Sequence, residues 1–318
     1  MNNIEVKIYE NKYMKKWDDF VEKSKNGTIF HTQRFLSYHS PNKFKDLSLL
    51  FLKEGNIITV ISGCVEEETF YSHKGSTYGG FVVPYNFSIS KALKIVEIFL
   101  DFLKRRNIKK VYLRLPEYIF EKCPSQEIKY ALWYFGFKIK ALELSTCYDL
   151  DFYDYSKKFL FWETKKSIKE GLKIIFDDKN YYRDFYNLLE ESLKEKYKRK
   201  PTHSFKEIIK LKKLFPDKMF VITAYYENKV VGGILFFLAN KKTAHIFYST
   251  CRKNIKGIYP LESILEYLIK FLKNRNFKYL NYGISTENEG RKINLPLFKF
   301  KEKLKGFGVY REIWELEV

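Results

Sequence analysis

Three side chains stand out for what they could do with a proton. His203 is the lone histidine of KPTHSF (200–205), where a proline and two hydroxyl residues interrupt a long charged, helix-like run. Helices stop before proline, and Thr202 or Ser204 can cap the helix that follows, which accounts for a loop but not for its imidazole. His245 and Tyr248 lie three residues apart in the stretch TAHIFYSTC. Histidine and tyrosine both suit general acid–base work near neutral pH. In a regular strand, residues three apart point to opposite faces, so one cleft receives both only where a bulge intervenes. Two of them also have a structural reading: His203 as a loop histidine capping SFKE or resting in solvent, and Tyr248 as a core tyrosine among the 25 in the chain.

Signatures of several other chemistries are missing from the sequence. No HExxH, nucleophile elbow, Walker loop or dinucleotide fingerprint occurs, so metalloprotease, serine hydrolase, NTPase and dehydrogenase readings lack support. The four cysteines, Cys64, Cys123, Cys147 and Cys251, form no CxxC pair. That implies neither a metal site nor a disulfide framework and suits a reducing compartment. The N-terminus MNNIEVKIYE lacks a signal-peptide pattern, and no apolar run approaches the roughly 18 residues of a membrane span. A cytoplasmic protein is expected, with peripheral contact to an anionic membrane among its open partners.

With 58 Lys and Arg against 38 Asp and Glu, the formal charge is +20. Clustered cations attract phosphates, so tRNA, a nucleotide sugar, coenzyme A and an anionic leaflet all qualify as partners. An A/T-rich genome would also enrich Lys, Asn, Ile, Phe and Tyr. The 45% apolar and 18% aromatic content is that of a folded chain, and 318 residues suffice for two domains.

Stepping along the elements, the first half reads as a strand (4–9), a helix (12–25), a short helix (32–38) and strands over 47–83 turned by glycines. An amphipathic helix follows in SISKALKIVEIFLDFLKRRN, then a strand in IKKVYLRL, a helix stopped by Gly136, and strand in KALELSTCYDLDF. The second half is expected to hold helices over 155–173, 180–198 and 205–214. Three strands follow in MFVITAYYENKVVGGILFFLANKKTAHIFYSTC, then the helix PLESILEYLIKFLKNRN and the strand FKYLNYGIS. Each half thus repeats strand meander, long helix and strand, which implies two domains, 1–152 and 153–318.

This tandem order resembles the acyl-CoA N-acyltransferase (GNAT) fold, and specifically the FemABX peptidyltransferases and related GNAT proteins of bacterial surface-polysaccharide clusters. The stretches that carry the resemblance are NGTIFHTQRFL, YSHKGSTYGGFV, the run from KPTHSF to Phe237, and INLPLFKFKEKLKGFGVYREIWEL. The implied fold class is α/β (α+β): two tandem GNAT-like domains, each a mixed, mainly antiparallel sheet flanked by helices. The implied activity is N-acyl transfer from acyl-CoA to an amino group of a cell-envelope precursor, the acceptor being a small-molecule or lipid-linked amino sugar. A FemABX-type aminoacyl-tRNA-dependent peptidyltransferase of peptidoglycan is the alternative, and a non-catalytic basic nucleic-acid-binding protein is a third reading.

The resemblance also implies sites. The fourth strand of the second unit, Thr243 to Cys251, would hold the donor carbonyl, and the loop RKNIKGIYP would wrap a pyrophosphate through Arg252, Lys253, Lys256 and Gly257. Arg252 and Gly257 are spaced more widely than the usual family motif, and Tyr259 stands where a small residue is expected. That leaves the donor open between acyl-CoA and aminoacyl-tRNA, and an ordinary strand-to-helix turn is the bland reading. His203, His245 and Tyr248 become the implied acid–base groups. His31, His73, Asn294 and Lys301 are implied acceptor contacts, although a solvated lysine is the simpler account of Lys301.

Overall fold

The computed structural model describes residues 4–40, 42–154, 156–252 and 255–318, without the side chain of residue 197. Along the chain come β1 (Ile4–Ile8), α1 (Met14–Lys23), α2 (Gln33–Leu36), β2 (Lys45–Asp46), β3 (Leu49–Lys53), β4 (Asn56–Ser62), β5 (Cys64–Glu66), β6 (Thr69–Tyr71) and β7 (Gly80–Val82). Next are α3 (Ile89–Lys104), β8 (Lys110–Arg114), α4 (Glu127–Tyr134) and β9 (Lys138–Asp149). Then follow α5 (Trp162–Lys169), β10 (Lys173–Phe176), α6 (Tyr182–Tyr197), α7 (Phe205–Leu214), β11 (Met219–Tyr226), β12 (Lys229–Leu238), β13 (Thr243–Cys251), α8 (Pro260–Lys273) and β14 (Tyr279–Ile284). The tail holds β15 (Thr286–Glu287), β16 (Lys292–Ile293), α9 (Leu295–Lys303) and β17 (Phe307–Glu317).

These elements form two compact units. One comprises Met1–Ser145, Ile284–Leu295 and Gly308–Val318, the other Thr146–Gly283 and Pro296–Phe307. In the first, β1, β3, β4 and β7 form an antiparallel sheet, and β17, β8, β6, β5 and β2 lie side by side in that order. Helix α3 covers its core because Ala92, Ile95, Val96, Phe99, Leu100 and Leu103 recur at helical spacing, all buried. Ser88 starts it, its hydroxyl accepting from the Lys91 amide.

In the second unit β10, β11, β12, β13 and β14 are neighbours in that order, antiparallel until the parallel pair β13–β14. Alternation along β12 assigns the two faces. A Cβ on Gly232 would lie 2.6 Å from Pro260 of α8, and one on Gly233 would lie 2.3 Å from the Phe185 ring of α6. Adjacent strand residues face opposite ways, so α8 covers one face and α6 the other. The α8 side is a dry core of Ile234, Phe236, Ile246, Ile264, Leu268 and Leu272. Helix α7 begins at a reciprocal cap: Ser204 Oγ accepts from the Glu207 amide, and Glu207 Oε2 accepts from the Ser204 amide.

Two differences from the sequence reading have local causes. The helix expected over 155–173 is confined to Trp162–Lys169, because Gly171 takes a left-handed φ of +98° and the chain enters β10 at Lys173. The tail, which carries no periodicity assignment, contains α9 and the 11-residue β17.

The paired glycines are expected to be intolerant of side chains. Gly233→Ala should lower stability by about 1–3 kcal/mol through overpacking against Phe185. Urea denaturation checks this, with partial recovery expected when Phe185→Leu is added.

Candidate active site

The β13–β14 ladder is short. Thr243, Ala244 and His245 pair with Tyr279, Leu280 and Asn281, and among the described residues no rung follows. β13 nevertheless runs on to Cys251 and β14 to Ile284, so the neighbours part after His245. His245 Nδ1 lies 2.9 Å from Asn281 Oδ1 at the last rung, and the same oxygen accepts from the Gly283 amide at 2.8 Å. An amide oxygen only accepts, so the His245 proton sits on Nδ1. Both residues are buried.

A bulge, the condition under which His245 and Tyr248 can share a face, interrupts the β12–β13 pairing. Leu235 faces Tyr248 while Phe236 faces Ile246, which leaves Phe247 as the extra residue of β13. His245 pairs with Phe237 and Tyr248 with Leu235, two positions of β12 that share a face. Both therefore project on the α6 side. There Tyr248 meets His203, whose loop follows α6: His203 Nδ1 is 2.7 Å from the Tyr248 hydroxyl. The His203 amide and the amide and hydroxyl of Thr202 also hydrogen-bond the Tyr248 hydroxyl. Burial, the largest influence, pushes the Tyr248 hydroxyl up to about 12, so it is protonated at neutral pH. Tyr186 donates to the His203 carbonyl at 3.2 Å and fixes the loop. The Phe247 ring lies 4.9 Å from the His203 ring and 6.5 Å from that of His245. The structure thus brings the three sequence candidates around one bulged residue.

On β14, past the parting, Tyr282 is buried and hydrogen-bonded to Ser249 of β13, with its hydroxyl pushed well above the usual range by burial. Lys301 of α9 donates to the carbonyls of Tyr282 and Gly283, each at 3.0 Å, and its Nζ lies 4.8 Å from the centre of the Tyr282 ring. It is buried, not solvated, and burial pushes its ammonium down to about 7. Asn281, Tyr282 and Ser249 escaped the sequence reading. The signal available was an asparagine set in the otherwise apolar strand before Gly283.

The loop after β13 is occupied by its own unit. Arg252 pairs with Glu191 of α6, Nη2 to Oε2 at 3.0 Å. The Tyr259 amide donates to Ser167 Oγ of α5 at 2.8 Å, and the Ile258 amide to the Ile255 carbonyl at 3.1 Å. Gly257 has a φ of +79°, Lys256 is exposed, and Lys253 lies outside the described residues. The first turn of α8 carries Glu262, whose carboxyl is raised chiefly by burial and also by Glu163.

The other candidates lie elsewhere. His31 is buried, with Nδ1 3.0 Å from Thr28 Oγ1 and Nε2 3.1 Å from the Gly79 carbonyl, and burial pushes it down to about 4. His73 accepts from the Gly75 amide through Nδ1 at 3.0 Å, and its Nε2 is 3.5 Å from Asp46. It lines a cavity of about 530 Å³ in the first unit, shared with Tyr9, Gln33, His39, Phe44 and Asp46. Asn294 belongs to the first unit, where its amide donates to the Ser285 carbonyl, whereas Lys301 belongs to the second. Among the described residues no cluster of three or more His, Cys, Asp or Glu could hold a metal ion.

No protein-family model and no curated protein matches the chain. Solved structures do. FemX is similar over 99% of this chain and 97% of its own, with 10% identity and a TM-score of 0.73. L-PGS from Bacillus licheniformis is similar over 94% and 90%, with 14% identity and a TM-score of 0.62. A tandem GNAT protein from the clavulanic acid biosynthesis pathway is similar over 99% and 98%, with 9% identity and a TM-score of 0.57. These likenesses establish the fold as FemABX-like, with two GNAT-like domains.

Burial of Lys301 gives a stability signature. Its folded value of about 7 lies below the ordinary 10.5, so between those pH values the unfolded chain binds more protons and stability rises with pH. The melting temperature should climb from pH 7 to pH 9 more in the native protein than in Lys301→Met. Parallel pH curves for the two would remove the assignment.

Proposed function

We propose that the chain is a transferase that passes an aminoacyl group from an ester donor to an amine of a cell-envelope precursor. The observation that carries this reading is the parting of β13 from β14 beside the His203–Tyr248 pair. An extended donor can enter where the two strands part, which delivers its carbonyl next to the bulge. The acceptor nitrogen attacks the carbonyl carbon, the ester C–O bond breaks, and one proton must travel from nitrogen to the leaving oxygen. Tyr248 takes that proton while handing its own to His203 Nδ1, and the reverse transfer protonates the leaving oxygen.

The loop before α8 favours an ester over a coenzyme A thioester. A pyrophosphate there needs free amides and an unopposed positive field. Instead Ser167 engages the Tyr259 amide, Glu191 engages Arg252, and Glu262 stands in the first turn. Aminoacyl-tRNA fits the charge of +20. Acyl-CoA is the second reading, favoured by the left-handed Gly257, the exposed Lys256 and the likeness to a tandem GNAT protein whose structure is described as lacking AcCoA. The proposed acceptor is a lipid-linked or nucleotide-linked amino sugar; separately, the first unit holds a cavity suited to a small polar ligand. Its volume is ordinary for a small-molecule site. The buried Gln33 Nε2 has no hydrogen-bond partner among the described residues, and Phe44 and Asp46 offer a stacking face and a carboxylate. Non-catalytic nucleic-acid binding is disfavoured by aromatics such as Phe236, Phe237 and Phe99, which are buried in cores.

Donor titration separates the readings. Charged tRNA should raise the melting temperature in a salt-sensitive manner, and coenzyme A should not. In transfer assays with amino-sugar nucleotides or lipid-linked precursors, Tyr248→Phe should cut kcat by about 10²-fold or more while the tRNA shift persists. Absence of product with every donor, together with absence of donor binding, would sink the proposal.

A further inference from the structure

Helix α4 is apolar on both of its sides. Ile128, Ala131 and Leu132 are buried in the first-unit core beside α3, as a surface helix requires. The opposite face should then be polar, yet it presents Tyr130, Trp133 and Tyr134, which are 50%, 63% and 60% exposed. Their spacing of three and four residues aligns them on one stripe, and the Tyr130 and Trp133 rings lie 5.8 Å apart. Just beyond the helix, Ile139 and Leu142 are also exposed. A run of exposed rings of this kind marks an interaction surface.

The chemistry of the patch distinguishes among occupants. Tyrosine and tryptophan join an apolar ring to a polar tip, the combination favoured where hydrocarbon meets headgroups. Lys94, Lys129 and Lys140 are engaged by Glu97, by Glu312, and by Glu289 with Glu315, while Lys91, Lys104, Arg105, Arg106 and Lys138 of the flanking segments are exposed and keep the surroundings net positive. The outer face of a single helix is convex, and it can sink into a headgroup layer without a matching groove.

We propose that the outer face of α4 seats the protein on an anionic lipid surface, with Tyr130, Trp133 and Tyr134 inserted at headgroup depth and the flanking lysines on lipid phosphates. This goes beyond the transfer reading and does not depend on it. The binding site would be a patch of the first unit, and its occupant the negatively charged leaflet itself.

Co-sedimentation of the full chain with vesicles tests it. Binding is expected to vesicles containing phosphatidylglycerol, with little to pure phosphatidylcholine, and it should weaken with salt. The triple variant Tyr130→Ser, Trp133→Ser, Tyr134→Ser should bind at least about tenfold more weakly, with unchanged circular dichroism and unchanged donor-induced melting shifts. In a Trp162→Phe background, lipids brominated near the headgroup should quench Trp133 fluorescence, a readout that does not need the triple variant. Failure of the native chain to bind phosphatidylglycerol vesicles would overturn the proposal, as would equal binding by the triple variant. Concentration-dependent self-association abolished by the triple variant, without vesicle binding, would instead assign the face to a second copy of the chain. Either failure leaves the transfer assays untouched, so the two proposals stand or fall separately.

Discussion

A parallel pair of strands that stops pairing after three rungs is the constraint on which the second unit depends. Backbone amides and carbonyls that lose a strand partner need another, and the fold answers with side chains. Asn281 takes the Gly283 amide, and Lys301 takes the two carbonyls that follow along β14. Tyr282 spans the gap toward Ser249, so the parting is supported by packing as well as by hydrogen bonds. Burying a lysine among carbonyls and an aromatic ring costs stability, visible in the depressed affinity of its amine for a proton. A cost of this kind is typical of sites where geometry serves chemistry.

The same constraint organises the two faces of the sheet. Gly232 and Gly233 sit side by side on β12 and let α8 and α6 approach opposite faces at close range. The α8 face becomes a dry core, while the α6 face carries His203, His245 and Tyr248. The bulge at Phe247 is what sends His245 and Tyr248 to that face together, since an unbulged β13 would bury one of them against α8.

The region before α8 illustrates how a shared fold leaves room for different donors. A helix N-terminus after a parted strand is a ready anion site on physical grounds. Here α5 lies against it, through Ser167 on the Tyr259 amide and Trp162 at 5.4 Å from the Tyr259 ring. Under the proposed transfer reading, the sheet sets the fold and what covers this helix end bears on the donor.

Much of this was legible in the residues alone. Periodicity located α3, α8 and most strands, KPTHSF identified the loop that carries the imidazole, and strand alternation stated the condition under which His245 and Tyr248 could share a face. Local pattern carries such information because helix stripes, caps and turns depend on neighbours within a few residues. What the tertiary structure decided lay at longer range: that Phe247 is the bulged residue, that His203 meets a tyrosine 45 positions away, that Lys301 is buried and not solvated, and that Ser167 closes the loop before α8. Each of these depends on which segments become neighbours in space, and that is settled by the packing of whole helices against a sheet, a quantity no local window contains.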